Sequence, residues 1–186
     1  MGVIYTIGHS NRSLDDFIAT LSHYHISTVA DVRSLPHSRA NPHFNKEVLE
    51  YALPRSNVAY SWMGKELGGF RPQTLTESPN TAWRVKGFRN YADYALTDEF
   101  SEAISQLSAV AAEQITVCMC AEVLWTRCHR RIIADYLSLR GWEVMHILNT
   151  SRSTPHELTP FAKVDDELIT YPSSLSQYSL EDFELK

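Results

Sequence analysis

Residues 115–121, ITVCMCA, form a near-continuous apolar run that breaks directly into Glu122. A strand with one wet face alternates apolar and polar residues, so an unbroken run marks a strand covered on both faces. Such a strand requires helices above and below its sheet, and the rest of the chain provides them. VIYTIG (3–8) reads as a strand ended by glycine, and STVADVRS (27–34), Val58 to Trp62 and EVMHIL (143–148) read as further strands. Ser13 precedes LDDFIATLSHY with Asp16 three residues on, a capping-box-like start, and Leu14, Phe17, Ile18 and Leu21 recur at helical spacing. Asn45 is placed to cap KEVLEYAL, with Val48, Leu49, Ala52 and Leu53 inward. Thr97 caps a helix from about Asp98 to Glu113 that buries Phe100, Ile104, Leu107 and Ala111. A last helix runs from about Cys128 to Leu139, ended by Gly141, with Ile132, Ile133 and Tyr136 facing the core.

Strands alternating with helices predict one α/β domain over residues 1–172, a three-layer sandwich around a mostly parallel sheet of about five strands. GKELGGFRP reads as a glycine-rich loop. Residues 71–89 have no clear period and read as a functional loop or lid. After EVMHIL only LITY (168–171) suggests a short strand, and residues 173–186 read as an acidic, disordered tail. From Asp165 onward there are six acids and one base. The net charge of −5 therefore belongs to the C-terminal region, the remaining body is neutral, and no global nucleic-acid field is indicated. No apolar run approaches the roughly 18 to 20 residues of a membrane span. The odd set of Cys118, Cys120 and Cys128 is not a disulfide framework, and a reducing cytoplasm is expected.

In a parallel sheet, ligands sit beyond the carboxyl ends of the strands, and the polar clusters fall there. His9 and Ser10 follow the first strand, Asp31 and Arg33 end the second, Gly68 and Gly69 follow the third, and Cys120 with Glu122 ends the fourth. Alternation puts Cys118, Cys120 and Glu122 on one face of their strand, with Cys118 in the core. Cys128, His129 and Arg130 fall in the first turn of the next helix, where free amides favour an anion or a thiolate. Each residue keeps two readings. Cys120 and Cys128 are buried fillers or nucleophiles; Glu122 is a general base or one half of an ion pair with Arg130 or Arg33; His129 is a base or phosphate donor, or a cap.

No metal is expected, because neighbours such as Cys128 and His129 on a helix diverge by about 100° and the spacing is not that of a zinc finger. No cofactor is expected either, since one glycine in TIGHSN makes no dinucleotide fingerprint. A cysteine-phosphatase loop needs arginine six residues after the cysteine. That position is Thr126 from Cys120 and Ala134 from Cys128, so Arg127 misses by one.

The motifs TIGHSNRSLDDF, ADVRSLPHSRANPHFN, ELGG, FRNYADY, MCAE, RCHR, HIL and LTPFA, in this order over nearly the whole chain, resemble domain-of-unknown-function family 488. The resemblance implies a cytoplasmic, Rossmann-like α/β domain with a shared polar site. Carried over by position, that site comprises His9, Ser10, Asp31, Arg33, Ser38, Arg39, Gly68, Gly69, Cys120, Glu122, Cys128, His129 and Arg130. Arg131 and Val123-Leu124 depart from the family pattern.

The leading expectation is a hydrolase- or transferase-like site for a small phosphorylated or nucleotide-like ligand. Arg33, Arg39 and Arg130 would grip the anion, with Glu122 as base or a cysteine as nucleophile. One alternative is a nucleic-acid or regulatory module whose Trp62, Trp83, Phe88 and Tyr91 stack on bases. Another is a scaffold whose arginines pair internally with Asp31, Glu66 and Asp93. Oligomeric state is not legible.

Overall fold

The computed structural model describes residues 2–173. In chain order the elements are β1 (Val3–Gly8), α1 (Leu14–His23), β2 (Thr28–Asp31), α2 (Lys46–Arg55), β3 (Ala59–Trp62), α3 (Gly64–Leu67), α4 (Lys86–Tyr94), α5 (Asp98–Glu113), β4 (Thr116–Cys120), α6 (Arg130–Leu139), β5 (Glu143–Asn149), β6 (Arg152–Pro155), β7 (Lys163–Asp165) and β8 (Leu168–Thr170). The main sheet has the order β3-β2-β4-β1-β5-β6. Its first five strands in that order pair in parallel, and β6 returns antiparallel on β5. β7 and β8 form a separate antiparallel pair.

Alternation along the strands divides the core in two. Ile7, Val29, Val117 and Met119 pack with Phe17 and Leu21 of α1 and Leu49 and Leu53 of α2. Ile4, Ala30, Cys118 and Cys120 pack with Tyr91 of α4, Phe100 and Ile104 of α5 and Ile132 of α6. This is the Rossmann-like α/β sandwich expected from the pattern, and β4 is buried along its whole length. Burial also lifts the Cys118 thiol to about 12, which leaves it an inert filler. Among the described residues, no helix is long and apolar enough to cross a membrane.

The caps at Ser13 and Thr97 form as expected, their hydroxyls accepting from Asp16 N and Phe100 N. The Asn45 side chain instead accepts from Ser38 N at 2.7 Å, so it ties down the preceding loop rather than capping α2. Val48, expected to face inward on that helix, is exposed instead. GKEL is a turn of helix rather than loop, and α4 begins inside the stretch read as irregular. α4 escaped notice because its inward face carries buried polar residues. Asp93, 3% exposed, accepts from Ser78 Oγ and Asn80 Nδ2. β6 was missed because an edge strand can be polar throughout and still pair through its backbone. Ser173 is bonded to Thr81, while the expected tail beyond it lies outside the described residues.

Candidate functional site

The carboxyl ends of three neighbouring strands finish level, with Gly8 opposite Cys120 and Asp31 opposite Met119. The ladder continues past the strands through His9 N to Cys120 O (2.9 Å) and Ser10 N to Ala121 O (3.0 Å). Gly8 makes this possible. A Cβ there would sit 1.9 Å from Glu122 O, inside the backbone of the loop that leaves β4. Gly8→Ala is therefore expected to destabilise the protein by about 1–3 kcal/mol, an overpacking cost read by denaturant titration, and to displace that loop.

Two clefts open at this edge. The first, about 350 Å³, is lined by Leu35, Phe70, Val85 and Phe88 on its apolar side and by Cys120, Cys128, His129 and Arg127 on its polar side. The second, about 380 Å³, is lined by His9, Ser10, Asn11, His37, Ser38 and Asn41. Arg33, Leu35, Ala121 and Glu122 line both. The edge thus brings together His9, Ser10, Arg33, Ser38, Gly69, Cys120, Glu122, Cys128 and His129. Asp31 and Arg130 lie buried beneath them. Gly68 packs against Ser34 and Gly64, and exposed Arg39 lines neither cleft. Of the apolar wall formed by Phe70, Val85 and Phe88, sequence reasoning offered only Phe88, as a stacking surface; the irregular 71–89 segment and its flanks were the one other signal.

The arginines are engaged differently from expectation. Arg33 donates through Nε to Asp31 Oδ1 (2.9 Å) and through Nη2 to Asp31 Oδ2 (2.5 Å) and Phe44 O (2.8 Å), while its Nη1 meets His9 Nε2 at 3.2 Å. Burial alone would lower the Arg33 pKa, but the hydrogen bonds and charge of Asp31 outweigh it and raise it. His9 donates Nδ1–H to Ser10 O, and burial lowers it to about 4, so it stays neutral beside the guanidinium.

Glu122 was expected to need a buried partner. Its side chain is exposed instead, with no ion pair among the described residues, while its backbone carbonyl accepts from Arg130 Nη2. Glu122→Gln is accordingly expected to change thermal stability by no more than about 0.5 kcal/mol while altering occupancy of both clefts.

The thiols provide the chemistry. Cys128 was expected inside the helix but precedes it in extended conformation, with His129 as the cap residue of α6. The two side chains consequently converge, Cys128 Sγ lying 3.6 Å from His129 Nδ1. His129 Nε2 donates to Val32 O at 2.9 Å, which leaves Nδ1 free to accept the thiol proton. Arg130 Nε donates to Cys128 Sγ at 3.3 Å.

Burial opposes ionisation of Cys128, but a hydrogen bond from Cys120 and the charges of His129 and Arg130 overcome it and hold its pKa well below the ordinary thiol range. Cys120, donating to that sulfur and buried, is pushed well above its ordinary value. The two thiols titrate as a pair, and the charge is favoured at Cys128, which has His129 and Arg130 beside its sulfur. The sulfurs of Cys120 and Cys128 and Nδ1 of His129 lie within 4.8 Å of one another, a spacing that could surround a soft metal ion. The expected divergence of Cys128 from His129 is corrected by their position ahead of the helix. The Arg130 cation on the Cys128 sulfur works against a divalent ion there.

Fold and site together define a Rossmann-like α/β domain with a thiol-centred cleft at the carboxyl edge of its sheet. Residues 13–137 match the model of the family described as Domain of unknown function DUF488, and the chain belongs to that family. No match was found among curated proteins or among solved structures.

Proposed function

We propose that this protein is a thiol-dependent hydrolase or transferase acting on a small phosphorylated or nucleotide-like ligand, with Cys128 as nucleophile. One observation carries the reading. Arg130 is 1% exposed, and among the described residues no carboxylate pairs with it; its partners are Thr6 Oγ1, Glu122 O and Cys128 Sγ. A buried guanidinium without a counter-charge costs several kcal/mol, and a Cys128 thiolate offsets it.

The ligand class is supported by the shape of the edge. An apolar or planar portion fits against Phe70 and Phe88, and the 77% exposure of Phe70 is characteristic of a binding rim. Polar groups fit the second cleft, and the exposed Arg127 with the amides at the start of α6 suits an anionic group. Sulfur attacks the electrophilic centre and the leaving group departs with the electrons of its broken bond. Glu122 then takes a proton from water or an acceptor hydroxyl, whose oxygen bonds to the transferred group as the bond to sulfur breaks and its electrons return to the Cys128 thiolate. A reducing cytoplasm would keep the three thiols free.

The test begins with a thermal-shift screen of phosphate esters and nucleotides, in which a ligand at a hundred times its Kd adds about 2.7 kcal/mol of stability. Turnover of any hit is expected to disappear in Cys128→Ser and to persist, slowed, in Cys120→Ser. Turnover surviving in both variants would sink the thiol mechanism. A nucleic-acid module is less well supported, because of its four expected stacking aromatics Trp83 and Tyr91 are buried in the core, leaving Trp62 and Phe88 accessible. Oligonucleotide binding that weakens a thousandfold or so between 50 and 200 mM salt would favour it instead.

A further inference from the structure

Behind the thiols, on the α6 side of the sheet, lies a row of buried polar groups that the mechanism above does not use. Arg130 Nη1 meets Thr6 Oγ1 at 3.3 Å, and Thr6 Oγ1 meets His146 Nδ1 at 2.7 Å. His146 Nε2 meets His156 Nδ1 at 3.0 Å, and His156 Nε2 meets Asp135 Oδ1 at 2.8 Å. The two ends dictate the direction. Arginine can only donate, so Thr6 oxygen accepts from it. Asp135 accepts from Thr159 N, Thr159 Oγ1 and Tyr171 OH as well, so both its oxygens act as acceptors and His156 Nε2–H donates to it. In the tautomer that keeps the row continuous, His156 Nδ1 accepts from His146 Nε2–H, and His146 Nδ1 accepts the Thr6 hydroxyl proton. Donors reasoned from one end and acceptors from the other meet without conflict. Every bond then points from Arg130 toward Asp135.

Resting on the reading of Cys128 as nucleophile, we propose that Thr6, His146, His156 and Asp135 form a buried positioning relay that holds Arg130 beneath Cys128 and keeps that thiol reactive. The relay joins a buried cation to a buried anion through polar groups satisfied in sequence, the arrangement in which a low dielectric strengthens each bond. Trp125, in the loop that carries the site from β4 to α6, stacks on His146 at 4.1 Å and stands edge-on to His156. The loop is therefore anchored to the same relay that places Arg130. Burial, above all, lowers His146 to about 3, so it remains a neutral link.

Around Cys128 the titratable or charged groups are Cys120 of β4, His129, Arg130 of α6, Tyr91 of α4 and His146 of β5. Tyr136 and Tyr171 flank Asp135. The relay residues are positioning residues, since none of them touches either cleft at the edge.

The experiment is the pH profile of Cys128 alkylation by iodoacetamide, read by peptide mass spectrometry on the whole folded chain. Thr6→Val keeps shape and removes the hydroxyl link. It is expected to move the profile to higher pH by about one unit, an approximately tenfold slower reaction on the acidic side. Thr6→Ser is expected to recover most of that loss. His156→Gln, which keeps a polar side chain at this buried position, is expected to shift the profile in the same direction and serves if Thr6→Val does not fold. A wild-type profile in a folded Thr6→Val or His156→Gln protein overturns the relay. If unsubstituted Cys128 reacts no faster than a free cysteine, the nucleophile reading itself falls, so the two failures are told apart.

Discussion

At pH 6, iodoacetamide is expected to modify Cys128 first and, on short exposure, alone. An unperturbed thiol near 8.5 is under about 1% thiolate at that pH. Cys128 differs because Cys120, His129 and Arg130 all favour its charged form against the opposing effect of burial. Lower basicity reduces intrinsic nucleophilicity, which cancels part of the gain in thiolate. A net advantage of about tenfold over free cysteine remains a fair expectation. Cys118, raised by burial, is expected to stay unmodified in the native protein.

The sign for stability follows from the same depression. Cys128 is an acid whose folded pKa lies below its unfolded one, so its ionisation stabilises the fold above the unfolded thiol range. That contribution is lost as pH falls through the folded value. Cys128→Ser should therefore abolish both the low-pH labelling and this arm of the stability profile. It also leaves Arg130 buried without a counter-charge. Labelling at pH 6 that is equal in Cys128→Ser and the unsubstituted protein would contradict the assignment of the thiolate.

Asp31→Ala is expected to cost about 3–5 kcal/mol of stability, because it strands the Arg33 cation in a buried setting. For a domain of this size each kcal/mol lowers Tm by about 2–4 °C, so the loss is easily read by calorimetry or circular dichroism. The geometry explains the size. Asp31 is fully buried and holds Arg33 through two oxygens, Tyr60 OH adds a further bond at 2.7 Å, and Arg33 also supports Phe44 O and neutral His9. Had Arg33 been a free hand for the ligand, the same substitution would weaken binding with little change in Tm. A Tm unchanged within about 1 °C would restore that view. Arg33 is the beam that shapes both clefts.

The sequence made the layered architecture legible because burial imposes periodicity. An apolar run such as ITVCMCA can be satisfied only inside a sheet, and stripes such as Phe100, Ile104 and Leu107 only on a packed helix. It also gave the edge on which polar residues collect, since strand ends fall where the runs stop. Less legible were α4 and β6. Asp93 is buried by bonds to Ser78 and Asn80 that no local pattern encodes, and β6 is held by backbone pairing alone.

Within the site, the list of residues was readable but their partnerships were not. Arg33 with Asp31 was foreseen as one option among several, whereas exposed Glu122 and peripheral Arg39 stand apart from the bonds expected of them. The reason is range. Periodicity and capping act over a few residues, so a chain determines its own strands, helices and core faces. The charge on Cys128 depends on Cys120 eight residues away. The row from Thr6 to Asp135 joins groups up to 140 residues apart, at His146. Only the tertiary structure, by closing those distances inside a medium that excludes water, decides which polar groups satisfy one another and which is left ready to react.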